Sequence, residues 1–107
     1  MIKAYSTALS IPATTSTELS IVTHIVPEGK KWQAQEIGFT VLTGCSVYVY
    51  VQNERVLTFL ATAVTDVRRL VLNWDLPQGF KIQVTAVNSS GSAAICGVNI
   101  VVDEVTA

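Results

Sequence analysis

The stretch Gly79-Phe80-Lys81-Ile82-Gln83-Val84-Thr85-Ala86-Val87-Asn88 alternates between apolar and polar side chains almost without a break. In an extended chain Phe80, Ile82, Val84 and Ala86 share one face, and Lys81, Gln83 and Thr85 share the other. Successive side chains of a strand point to opposite faces, whereas a helix brings residues three or four apart together. The segment is therefore a half-buried strand, with one face on a core and one toward water, as in an antiparallel sheet.

The same period extends outward along the chain. Val47, Val49 and Val51 alternate with Tyr48, Tyr50 and Gln52, while Leu70, Leu72 and Trp74 oppose Arg69, Val71 and Asn73. Val, Ile and Thr dominate, and their branched Cβ suits a pleated surface better than a helix. Two segments are apolar on both faces. One is Leu19–Val26, with Leu19, Ile21 and Ile25 against Val22 and Val26. The other is Ala93–Val102, with Ala94, Cys96, Val98, Ile100 and Val102 against Ile95, Gly97, Asn99 and Val101. Such strands are expected to be covered by the core on one side and by a neighbouring subunit on the other. Between Trp32 and Val41 the phase slips, which predicts a β-bulge near Glu36-Ile37, beside Gly38.

Turn chemistry separates these runs. Pro27-Glu28-Gly29 and Pro77-Gln78-Gly79 combine a preset φ with a residue that tolerates positive φ. Asn53-Glu54 predicts a tight hairpin, and Asn88-Ser89-Ser90-Gly91-Ser92 a polar loop. Thr58–Asp66 is the least regular part; its Ala and Leu would permit a short helical turn, but Thr62, Val64 and Thr65 oppose a long one. The expectation is an all-β, antiparallel two-sheet sandwich of jelly-roll type with about eight strands. Residues 1–17 read as an N-terminal strand and linker, an arm, and residues 18–107 as the sandwich domain. A short echo, Val26-Pro27-Glu28-Gly29-Lys30-Lys31-Trp32 against Leu76-Pro77-Gln78-Gly79-Phe80-Lys81-Ile82, suits a fold of two similar halves.

With 107 residues the chain has the size of one domain. Half of it is apolar and only 14% is charged, against about 25% in a typical soluble domain. A small domain cannot hide that much apolar side chain inside, so part of it is expected at an interface between subunits. The net charge is −1, and the only basic pairs, Lys30-Lys31 and Arg68-Arg69, split across two strand faces. A nucleic-acid partner is not expected from that pattern. No apolar run reaches the eighteen or so residues that a spanning helix needs, and the N-terminus lacks the run of a signal peptide, so synthesis in the cytosol and no membrane partner are expected.

Candidates for chemistry are few. His24, the single histidine, lies mid-strand without a nucleophile pattern nearby and reads as an interface or surface residue. Asp66, Asp75, Asp103 and Glu104 are scattered, with no calcium-loop spacing. Cys45 and Cys96 are too few for a disulfide framework and wrongly spaced for zinc; they read as buried thiols that could pair only if their strands lie side by side. Asn88-Ser89-Ser90 fits a glycosylation acceptor but reads as turn chemistry. No catalytic residue, metal ligand or cofactor is assigned. Trp32 and Trp74 are in phase with aliphatic neighbours and are expected in the core. Tyr48 and Tyr50, with Gln52, point away from the Val47-Val49-Val51 face and form a candidate self-association or partner face. An exposed aromatic platform for sugar rings is the competing use of these aromatics.

The run from Val26 to Glu104, about three quarters of the chain, resembles small jelly-roll virion proteins of tailed phages and related viruses. The residues that carry the likeness are Val26-Pro27-Glu28-Gly29-Lys30-Lys31-Trp32, Val47-Tyr48-Val49-Tyr50-Val51-Gln52-Asn53, Leu76-Pro77-Gln78-Gly79, and Lys81-Ile82-Gln83-Val84-Thr85-Ala86-Val87-Asn88-Ser89-Ser90-Gly91. The resemblance implies a non-enzymatic capsid decoration or cement protein on the virion surface, assembled in the host cytoplasm. It also implies a homo-oligomer, a trimer above all, seated on a major capsid protein or other virion protein. In that setting Ile2, Tyr5 and Leu9 of the arm are candidate contacts, because a strand can add to a neighbour's sheet edge. A carbohydrate-binding module, or an adhesion domain of a tail or fibre, is the alternative.

Overall fold

The computed structural model describes residues 1–61 and 65–107, and the part of Thr58–Asp66 at positions 62–64 lies outside the described residues. The described chain forms eight strands: β1 (Ile2–Ile11), β2 (Leu19–Ile25), β3 (Lys30–Leu42), β4 (Cys45–Val51), β5 (Glu54–Leu60), β6 (Thr65–Leu76), β7 (Lys81–Asn88) and β8 (Ala94–Thr106). They make two four-stranded antiparallel sheets, ordered β1-β8-β3-β6 and β2-β7-β4-β5. That order is a ribbon of paired strands wrapped into a sandwich, which is the jelly roll. The body measures 46 × 22 × 19 Å.

The alternating segments put their apolar sides between the sheets. Ile37, Phe39 and Val41 of β3, Val98, Ile100 and Val102 of β8, Val47 and Val49 of β4, and Ile82, Val84 and Ala86 of β7 are all buried. Phe39 stacks on Phe59 of β5 with ring centroids 5.5 Å apart, so an aromatic pair spans the sheets. Trp32 is buried, as expected, and Trp74 is half-buried against the same core. The phase slip in β3 is a bulge between Ala34 and Glu36 in its pairing with both β6 and β8. One extra residue there lets Ala34 and Ile37 both face inward.

The turns differ in detail from their expectation. The β4–β5 hairpin turns on Gln52-Asn53, one residue earlier than Asn53-Glu54, and both residues have positive φ, 53° and 65°. Paired positive φ values make a type I′ turn, whose twist matches the strands it joins. In the two Pro-x-Gly turns the residue after Gly bonds back to Pro: Lys30 N–H to Pro27 O and Phe80 N–H to Pro77 O, both at 3.1 Å. Gly29 and Gly79 take φ of 76° and 83°. The two echoing turns lie together, because Gly29 N–H donates to Gln78 Oε1 (2.9 Å) and Gly79 N–H to Val26 O (3.1 Å).

Residues 1–17 contain the edge strand of the first sheet. Every residue from Ile2 to Ile11 is in register with β8, from Asp103 to Ala94. The following loop is tied down by Thr14 N–H to Ser90 O (3.0 Å) and Thr15 N–H to Asn88 O (2.7 Å). The strand expected as an arm thus has one edge occupied by its own chain.

Candidate functional site

The outer face of the β1-β8-β3-β6 sheet is assembled from the residues left over when the core takes every second side chain. Val71 lies opposite Glu36, Val67 opposite Thr40, Ile2 opposite Asp103, and Ser10 opposite Ile95, all outward. Val71 is 89% exposed, Val67 70%, Ile95 61% and Ile2 58%. These four large apolar side chains lie on one face, together with Ala4, Ala8 and Val101. The middle of the face is a shallow trough of about 700 Å³ floored by Ser6, Ala8, Gly38, Thr40, Gly97 and Asn99. Gly38 and Gly97 bring the floor down to backbone level; a Cβ at either would meet no atom closer than 3.6 Å. Charge on the face is neutralised locally. Glu36 and Arg69 form an ion pair, and Asp103 binds the N-terminal amine at 2.9 Å. The both-face apolarity of Ala93–Val102 was the sequence signal for this surface. The alternation conceals the contribution of β6, because Val67 and Val71 sit among Arg and Asn and read as members of a polar face.

The tyrosine face lies on the other sheet and is organised within the chain. Arg55 covers the Tyr48 ring with its guanidinium carbon 4.0 Å from the centroid, and donates through Nη2 to the Tyr50 hydroxyl at 2.9 Å. The Tyr50 hydroxyl in turn donates to Glu18 Oε1 (2.6 Å), and Thr85 Oγ1 donates to the same oxygen (2.5 Å). Those two bonds, Thr85 first, hold the Glu18 carboxyl below its usual range. Gln52 is spent on the turn: its Oε1 accepts from Lys81 N–H at 2.7 Å. Both tyrosines are half-buried. Of the arm residues, Tyr5 and Leu9 pack on this chain's own core and Ile2 is exposed.

His24, expected at an interface or on the surface, is half-buried and turned toward its own chain. A register shift between Ser20 and Val22 reverses the phase of β2, turning His24 inward and leaving Ile25 outward. Its ring lies 4.5 Å from Tyr5 and 6.1 Å from Trp32, centroid to centroid. Nε2 is buried without a hydrogen-bond partner among the described residues, and burial lowers the imidazole pKa. At the same end Glu104 accepts from Trp32 Nε1 (2.8 Å) and Lys3 Nζ (2.9 Å). Among the described residues no three His, Cys, Asp or Glu side chains gather where a metal could be held. A second groove, of about 540 Å³, opens between β5 and β6 and is lined by Val51, Leu57, Trp74 and Phe80 with Asn73 and Asp75.

No family model matches the sequence, and no curated protein matches it. Solved structures do match. A chain from the structure of infectious bursal disease virus, Gt strain, aligns over 94% of this chain with a TM-score of 0.51 and 10% identity. A chain from the Gx strain aligns over 99% with a TM-score of 0.52 and 10% identity. The likeness is one of fold. This chain spans about a third of the length of either match, 32% in both cases.

Proposed function

We propose that this chain is a non-enzymatic structural protein of a virus particle: a decoration or cement subunit that binds copies of itself and stabilises a shell. The jelly roll shared with infectious bursal disease virus chains over nearly the whole length supports the virion setting. The outer face of the β1-β8-β3-β6 sheet carries the assembly reading, since its large apolar side chains Ile2, Val67, Val71 and Ile95 lie outside the core formed by the described residues. Its occupant is a second copy. Four strands about 4.8 Å apart and ten residues long at about 3.3 Å give roughly 600 Å² per copy. Two copies then bury about 1,200 Å², the lower bound of a stable interface. The tyrosine face and the free edge of β1 are left for the shell protein; the three copies that the virion resemblance favours require the outer face to meet a different surface of the next copy.

The test is the solution mass of the full chain by light scattering over a range of concentrations. An oligomer is expected, and Val67→Lys with Val71→Lys should yield folded monomers. A wild-type chain that remains monomeric when concentrated rejects the assembly reading.

The groove between β5 and β6 supports a second use, as a carbohydrate-binding module: Trp74 and Phe80 offer apolar ring surface beside the polar Asn73 and Asp75. A saturable change in tryptophan fluorescence on titration with oligosaccharides, absent in Trp74→Ala, is its signature.

A further inference from the structure

The two cysteines meet although their strands belong to different sheets. Cys45 opens β4 in one sheet, and Cys96 lies in β8 of the other. The two thiols are neighbours within the core, with exposures of 2% and 0%. Adjacent strands in one sheet are not needed for such an approach, because the sandwich supplies it through its interior. Other contacts tie the sheets together at this end. Asn88, the register partner of Cys45, reaches across to Ile11 O at 3.2 Å, and Ile11 pairs with Ala94, two residues before Cys96. The sheets therefore converge where the thiols face one another, and both side chains are directed inward.

We propose that Cys45 and Cys96 form a latent staple between the sheets, which closes to an intramolecular disulfide when the chain meets a small-molecule disulfide of the glutathione class. The exchange is balanced. One protein thiolate attacks the small disulfide and expels one small thiolate; the second protein thiolate then attacks the mixed disulfide and expels the other. Two protein S–H bonds are lost, one S–S bond forms, and the small disulfide is reduced to two thiols. Burial and the neighbouring Cys45 thiol push the Cys96 pKa up to about 12, so Cys96 is scarcely ever a thiolate in the folded chain. Closure thus proceeds through transient opening or during folding, and the closed bond is in turn shielded from reductants. A thiol-rich cytosol keeps the pair open, and an oxidising exterior favours closure. Bridging residues so far apart in sequence closes a loop of roughly 50 residues and restricts the unfolded chain. The inference is independent of the virion reading, because it rests only on the core.

The experiment refolds the full chain with oxidised glutathione, or with a reducing dithiol, and compares the products. In the oxidised sample, intact mass should fall by two hydrogens, and digestion without reductant should yield a Cys45–Cys96 cross-linked peptide from monomeric protein. The melting temperature should rise by roughly 10 °C or more and return on reduction. Cys45→Ala and Cys96→Ala should show neither the link nor the shift. Free thiols after oxidative refolding, glutathione adducts or links between chains in place of the internal bond, or an internal bond that lowers the melting temperature would each overturn the staple. The wild-type peptide map decides the matter even if a variant fails to fold.

Discussion

The side-chain amide of Asn88, in β7, donates to the carbonyl of Ile11, in β1, across 3.2 Å between the two sheets. Its second N–H reaches Ser92 O at 2.8 Å, and its oxygen accepts from Ser90 N–H (2.9 Å) and Ser90 Oγ (2.7 Å). All the hydrogen-bonding capacity of the amide is used, and the residue is fully buried. The Asn88-Ser89-Ser90 triplet is therefore turn chemistry, and its amide nitrogen has no room for a glycan in the folded chain. Replacing Asn88 with Ala leaves several buried groups without partners. The expected cost is roughly 2–4 kcal/mol, measured by urea denaturation. A loss below about 0.5 kcal/mol would mean that water replaces the amide.

The turn before β4 depends on a missing side chain. Gly44 has φ of 93°, and a Cβ there would lie 2.8 Å from Ser90 Cβ. Gly29 also has positive φ, but nothing lies within 4 Å of its Cβ position. Gly44→Ala should cost about 1–3 kcal/mol more than Gly29→Ala, since both pay for the left-handed backbone and only one meets a neighbour. Equal melting temperatures in the two variants would contradict the contact.

Mild acid acts through His24. Its folded pKa is lowered by burial, so the unfolded chain takes up the proton first as pH falls. Stability should decrease below about 6.5, the ordinary value, and level off once the pH is below the lowered folded value. His24→Phe keeps a ring between Tyr5 and Trp32 and should remove that part of the pH profile. Persistence of the same decline in the variant would assign it to other groups.

At lower pH the carboxylates take over. Glu104 is held below its usual 4.5 by the Trp32 indole first and by Lys3 second. A depressed carboxyl contributes fully above the unfolded value, and the contribution is lost as pH falls through the folded one. Glu104→Gln should flatten stability between about 4.5 and the lowered folded value. An unchanged acid limb would show that the bonds to Trp32 and Lys3 do not depend on the charge.

On the tyrosine face, Tyr50→Phe removes the hydroxyl that links Arg55 to Glu18 and should cost about 1 kcal/mol. Tyr48→Ala with Tyr50→Ala tests the same face as a contact surface. If it binds the shell protein rather than a second copy, the double variant keeps the oligomer mass of the wild type. A fall in that mass would place self-association on this sheet instead.

The local order was written in the chain's own alternation. The strict period of Gly79–Asn88 and Val47–Gln52, the slip around Glu36, and the two Pro-x-Gly turns specify strands, a bulge and reversals, because each depends on neighbours along the backbone. The shortage of charge likewise announced more apolar surface than one small core can take. Which surfaces meet was settled only by wrapping the sheets. Period alone does not say that one extra residue in β2 turns His24 inward, or that Val67 and Val71 join Ile2 and Ile95 on one open face. Nor does it bring Cys45 to Cys96, or Asn88 to Ile11. Those pairs lie far apart in sequence and in different strands, and their proximity follows from the order in which the eight strands are laid side by side.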